Sequence, residues 1–118
     1  MYSCAILYHS RAGEHLLSKF VRRTTFLNPL WEGVYTDDKL DQLAALPTDV
    51  LFACLPAPND LHDTPLLALL RQQSTLIACS SYPLQAYADC QLLPWTFLTE
   101  PFSFDMFEAT LQDLIERK

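Results

Sequence analysis

Between Asp49 and Pro58 the chain reads Asp-Val-Leu-Phe-Ala-Cys-Leu-Pro-Ala-Pro. Its apolar run from Val50 to Leu55 is unbroken, too short for a helix and closed by two prolines. That is the pattern of a strand buried on both faces of a parallel sheet. In open α/β sheets, chemistry lies just past the carboxyl ends of the central strands, which directs attention to Cys54 through Pro58. A thiol stands there, and no carboxylate follows until Asp60.

The flanking segments supply the rest of such a sheet. Ser3 to Tyr8 reads as a first buried strand, and Leu16/Leu17 with Phe20/Val21 place two apolar pairs on one face of a following helix. Asn28-Pro29 is expected to stop that region, with a second, edge-type strand over Leu30 to Tyr35. Thr36 to Asp38 offers capping oxygens to a helix striped by Leu40, Leu43 and Ala44, and Pro47 closes it. Beyond the central strand, Thr64-Pro65 has the form of an N-cap followed by proline at the first helical position. Leu66, Leu67 and Leu70 face inward on this helix, which is expected to reach about Gln73. Thr75 to Cys79 gives a fourth strand, Leu84 to Asp89 a short helix, and Leu92 to Thr99 a fifth strand entered at Pro94. Ser103 can cap a terminal helix whose stripe is Phe104, Phe107, Leu111, Leu114 and Ile115, with Arg117-Lys118 at its negative end. The alternation predicts a flavodoxin-like (βα)₅ fold, a five-stranded parallel sheet of order 2-1-3-4-5 with helices on both faces.

Composition bounds the function. A chain of 118 residues, half of them apolar, fits a single domain over residues 1–118 with a core of its own. Fourteen acidic against eight basic side chains give a net charge of −6, which disfavours direct capture of a nucleic-acid backbone. The four cysteines, Cys4, Cys54, Cys79 and Cys90, stand singly without Cys-x-x-Cys or zinc-finger spacing, and read as reduced thiols of a cytoplasmic protein. No apolar run approaches the ~20 residues that span a bilayer, and the N-terminus lacks a signal-peptide pattern. With two glycines in the chain, a glycine-rich phosphate loop is excluded.

The segment Thr99-Glu100-Pro101-Phe102-Ser103-Phe104, followed by Phe107, resembles the Leu-Lys-Pro-Phe-Ser-Phe-x-x-Phe junction of response regulator receiver domains, in particular the subgroup that precedes LytTR-type DNA-binding domains. Ser81-Tyr82-Pro83 through Phe97 is similar to that family's stretch after strand four, and Phe26-Leu27 through Gly33 to its loop into strand two. The family transfers a phosphoryl group from a histidine kinase to an aspartate at the end of strand three. The reaction needs two acids after strand one to hold Mg²⁺, a Thr or Ser after strand four and a Lys before the proline that follows strand five.

Carried over residue by residue, the resemblance puts Cys54 at the acceptor position, Tyr8 and His9 at the acidic pair, Ser80 at the hydroxyl, Phe97 at the switch aromatic and Glu100 at the lysine. Pro58 keeps its place four residues after the acceptor. A thiol and an imidazole are poor ligands for a hard, octahedral Mg²⁺, and Glu100 repels an incoming phosphoryl group. The resemblance therefore implies a degenerate pseudo-receiver, not an enzyme, with neither cofactor nor metal. The family's cis peptide is expected at Glu100-Pro101.

Several residues carry a sharper and a plainer reading. Cys54 is either a redox-sensing thiol or a small buried apolar side chain, and the second is favoured because no adjacent base is evident to depress its pKa. A Cys54–Cys79 disulfide is disfavoured by adjacent-strand geometry. His9 is expected to pair with Glu100, in competition with Arg11, rather than to bind a metal with Cys54, since no convincing third ligand stands beside them. Lys19, Arg22 and Arg23 form either a docking patch or a solvated face. The function expected is a non-phosphorylatable signalling and interaction module of a two-component transcriptional regulator. It would act as a homodimer or on another protein through the family's face of fourth helix, fifth strand and fifth helix, with Leu84, Tyr87, Trp95 and Phe97 as interface residues; the plainer reading tucks Tyr87 and Trp95 into the core of a monomer. The reading leaves room for a DNA-binding domain C-terminal to the chain, which a basic, β-rich continuation beyond Lys118 would supply, and expects no direct contact of the chain itself with nucleic acid or membrane. The alternative is a thiol-dependent redox-sensing domain using Cys54.

Overall fold

The structure is a computed structural model that describes residues 2–8, 16–73, 75–92, 94 and 96–117. Five parallel strands, β1 (Tyr2–Tyr8), β2 (Leu27–Val34), β3 (Val50–Cys54), β4 (Leu76–Ser80) and β5 (Thr96–Thr99), pair in the order β2-β1-β3-β4-β5. This is the order expected from the sequence. The connections carry α1 (Leu16–Arg23), a 3₁₀ turn at Asp37–Lys39 running into α2 (Leu40–Ala44), α3 (Pro58–Leu61), α4 (Pro65–Arg71), a 3₁₀ segment at Leu84–Cys90, and α5 (Phe104–Arg117). Among the described residues, no helix is long and apolar enough to cross a membrane.

The apolar runs are continuous because both faces of the sheet are covered, and the period of two divides them into two cores. Ile6, Phe52, Ile77 and Leu98 pack with Phe20 and Val21 of α1 and with Phe107, Leu111 and Leu114 of α5. Leu7, Leu51, Ala53 and Ala78 face the opposite way, onto Leu43 of α2, Leu61 of α3, Leu66, Leu69 and Leu70 of α4, and Tyr87. Phe20 meets Phe102 and Phe104 edge-on at ring-centroid distances of 5.7 and 5.3 Å, tying α1 to the entry of α5.

Two of the three predicted hydroxyl caps are present, those at Thr64 and Ser103. Thr64 accepts a hydrogen bond from the Leu67 amide at 3.2 Å, and Ser103 one from the Met106 amide at 3.1 Å. The Glu100–Pro101 peptide is cis, as expected.

Other boundaries differ from expectation. Asn28-Pro29 lies inside β2, and α1 already ends at Arg23. Pro29 is accommodated because β2 is an edge strand with a register irregularity there, where Pro29 faces Cys4 and Trp31 faces Ala5. Thr36 gives no side-chain cap; its hydroxyl donates to the Asp38 carboxylate instead. Among the described residues the fifth strand runs over Thr96–Thr99, where β4 offers partners from Ile77 to Ser80. The segment after β4 is a 3₁₀ helix rather than an α-helix.

Candidate functional site

The carboxyl ends of β3 and β4 bring two thiols together. The strands run in register with Cys54 opposite Cys79, and both side chains lie on the face covered by α1 and α5. Their Sγ atoms are 3.3 Å apart, hydrogen-bond range for sulfur and far beyond the ~2.05 Å of a disulfide. All four cysteines are thiols. The Leu55 amide donates to the Cys79 carbonyl at 2.9 Å, and the Glu100 amide to the Ser80 carbonyl at 2.7 Å, which aligns the strand ends. Glu100 thereby joins the pair, with one ligand atom each from Cys54, Cys79 and Glu100 lying within 4.8 Å of one another. The three are graded in exposure, Cys79 buried at 1%, Cys54 half-buried and Glu100 exposed.

The electrostatics of this corner oppose a thiolate at Cys79. Its thiol is pushed up, first by the hydrogen bond with Cys54, then by burial and by the nearby Glu100 carboxylate. Burial, with the charge of Glu32, takes the Cys4 thiol up to about 12, and burial also raises Cys90.

Ser80 is turned to the other face of the sheet. Its hydroxyl lies 2.6 Å from that of Tyr87 and accepts the Tyr82 amide at 3.0 Å, while the Tyr87 hydroxyl donates to the Pro56 carbonyl at 2.7 Å. Tyr87 is 1% exposed, which corrects its expected place in an interface. Its ring fills the core beside Phe97, with centroids 6.0 Å apart, and its hydroxyl has partners there. Leu84, by contrast, is 41% exposed. Tyr8 donates its hydroxyl to Glu32 at 3.0 Å. Glu32, which the sequence did not single out, also accepts from Ser18 at 2.8 Å and Arg22 at 2.9 Å. Arg22 is thus engaged within the chain, as is Arg23, whose guanidinium lies 3.9 Å over the Phe104 ring. A separate hollow of about 250 Å³ includes Asp37, Pro56, Asp60 and Thr64 in its lining but neither thiol. His9, Arg11 and Trp95, with the expected pairing of His9 and Glu100, lie outside the described residues.

Two solved structures share the architecture. A response regulator receiver domain (CheY-like) from Methylobacillus flagellatus is similar at a TM-score of 0.62 and 18% identity, covering 96% of this chain and 98% of that one. The fold is that of a CheY-like receiver domain. A response regulator from Thermotoga maritima is similar at a TM-score of 0.66 and 13% identity, over 98% of each chain. No family model and no curated protein matches the sequence. Within this receiver fold, the site residues that the structure brings together are Cys54 and Glu100, joined by Cys79, while Tyr8 and Ser80 are committed to other partners. The sequence weighed Cys79 only as a disulfide partner of Cys54; that the two stand directly opposite each other is set by strand register, which no local pattern reports.

Proposed function

We propose that the chain is a receiver-like signalling module of two-component type that accepts no phosphoryl group and works through protein contacts. The observation that carries this reading is the trio at the ends of β3, β4 and β5, two thiols and a carboxylate where phosphoryl transfer needs a carboxylate acceptor and a cation. Thiols are poor ligands for Mg²⁺, and a carboxylate at Glu100 opposes the charge of a phosphoryl group. Ser80 is hydrogen-bonded to Tyr87 and Tyr82, so its hydroxyl is already engaged. In this reading the chain is a degenerate member of the LytTR-associated subgroup and the regulatory part of a cytoplasmic transcriptional regulator. Its net charge of −6 leaves DNA binding to a further domain or a partner. A thiol-redox function is less well supported, because the partner thiol, Cys79, is buried and pushed away from the reactive thiolate form.

The test is intact-mass measurement after incubation with acetyl phosphate and Mg²⁺. The expected result is an unchanged mass, both for the chain as it stands and for Cys54→Asp, which keeps Glu100 beside the new carboxylate. A stoichiometric phosphoryl adduct on the unsubstituted chain overturns the reading.

A further inference from the structure

We propose that Cys54, Cys79 and Glu100 form a three-ligand site for a thiophilic divalent cation, and that Zn²⁺ is the ion it fits. This goes beyond the signalling reading and does not depend on it. From sequence, metal binding at Cys54 lacked a convincing third ligand; the fold supplies Cys79 and Glu100 at one corner.

The donor set decides the class of ion. Two thiols and one carboxylate exclude Mg²⁺ and Ca²⁺, which take oxygen ligands, and match Zn²⁺, which binds cysteine sulfur at about 2.3 Å and carboxylate oxygen at about 2.0–2.2 Å. Two sulfurs in a tetrahedral zinc shell stand about 3.8 Å apart, by the geometry of that bond length. The observed 3.3 Å needs an opening of only about half an ångström, a small rotation of the half-buried Cys54 side chain. A bridge between the sulfurs asks more, since closing to a disulfide requires an approach of more than an ångström between strands already fixed in register. Glu100 is exposed, so its side chain has the freedom to swing in, while its amide is pinned to the Ser80 carbonyl.

The surroundings also favour a cation. Glu100 brings a carboxylate oxygen to the two thiols at the strand ends. A thiol that coordinates a divalent ion is deprotonated by the metal itself, so neither cysteine needs a neighbouring base to become a ligand. Three protein ligands leave a fourth tetrahedral position, and the gradient from buried Cys79 to exposed Glu100 points that position at solvent.

The experiment is a titration of the chain, held reduced by a non-thiol reductant, with Co²⁺ as the spectroscopic stand-in and Zn²⁺ as competitor. A stoichiometric amount of Co²⁺ is expected to give a sulfur-to-cobalt charge-transfer band and the visible bands of a tetrahedral ion, both erased by Zn²⁺. Cys54→Ser and Cys79→Ser each weaken binding by at least about tenfold, the smallest loss seen when even a supporting group around a metal is removed. Glu100→Gln also weakens it, whereas Cys4→Ser and Cys90→Ser leave it unchanged. Absence of the charge-transfer band overturns the proposal, as does its survival in the Cys54→Ser, Cys79→Ser double variant or an unchanged affinity in Glu100→Gln. Because Cys79 is buried and its substitution can perturb folding, protection of Cys54 from alkylation in the unsubstituted chain is a second readout. Zn²⁺ is expected to slow that alkylation and Mg²⁺ to leave it unaffected; equal rates with and without Zn²⁺ overturn the proposal.

Discussion

The Tyr87 hydroxyl lies 2.6 Å from the Ser80 hydroxyl and donates to the Pro56 carbonyl at 2.7 Å, so one buried phenol ties the 3₁₀ segment to the ends of β3 and β4. Because Tyr87 donates to Pro56, Ser80 is left to donate to Tyr87 while accepting the Tyr82 amide. Tyr87→Phe keeps the ring and strands both partners in a dry site. Leaving buried polar groups unsatisfied costs about 1–3 kcal/mol, and the expected loss of stability lies in that range. Urea unfolding checks it, with a lowered midpoint and an unchanged slope; a midpoint equal to that of the parent chain refutes it.

Ser103 holds the first turn of α5 by accepting the Met106 amide at 3.1 Å, immediately after the cis Glu100–Pro101 turn. Ser103→Ala removes that cap and should cost about 1 kcal/mol, while Ser103→Asp, which restores an acceptor and suits the helix dipole, should retain most of the stability. Thermal melts of the three proteins decide the matter, and an alanine variant as stable as the aspartate variant counts against a capping role.

Glu32 provides the acid-sensitive contact. Its partial burial alone raises a carboxyl pKa, but hydrogen bonds from Ser18 and Tyr8 and the Arg22 guanidinium outweigh that and hold it below its ordinary 4.5. A depressed folded-state pKa means that the ionised group stabilises the fold above the unfolded-state value, and that this contribution is lost as pH falls through the folded-state value. Glu32→Gln should therefore be less stable than the parent near neutrality, with the gap closing as the solution is acidified below pH 4.5. Denaturant melts at a series of pH values test this. Arg22 is exposed, so its share of the gap is small and is the part that added salt should screen away.

What the sequence showed and what it hid follow from the range of the interactions involved. The apolar run of β3 and the Phe107, Leu111, Leu114 stripe of α5 are local patterns, and patterns of this kind carried the sheet and its coverings. Register between strands is not local. The contact of Cys54 with Cys79 depends on how β3 and β4 align across 25 residues, and the sequence could weigh the pair only as an unfavourable disulfide. Tyr87 was misplaced for a different reason. It was set in the interface by the resemblance to the family's face, and no local pattern showed that Tyr87 and Cys90, three apart on a 3₁₀ helix, are buried together. Pro29 misled because a proline reads as a stop unless the strand is known to be an edge with a bulge.

The burial of Tyr87 sharpens the expectation about association. The segments that precede and follow edge strand β5 in the chain expose Leu84 at 41% and Met106 at 53%, among the few large apolar side chains left to solvent. Contacts that exclude water from such side chains are the usual centres of protein interfaces, and burying one aliphatic side chain contributes about 1.5–3 kcal/mol. If the face pairs two copies of the chain, light scattering at micromolar concentration should show a dimer. On the proposed function, in which the chain accepts no phosphoryl group, the dimer should be indifferent to Mg²⁺ and to phosphodonors. Leu84→Glu should dissociate it without lowering the unfolding midpoint, because a charge at an exposed position disturbs the interface and not the core. Tyr87→Phe should do the reverse, lowering the midpoint while leaving the dimer intact wherever the chain remains folded. A parent chain that stays monomeric across the concentration series removes the homodimer, and a Leu84→Glu variant that still dimerises moves the contact away from this face.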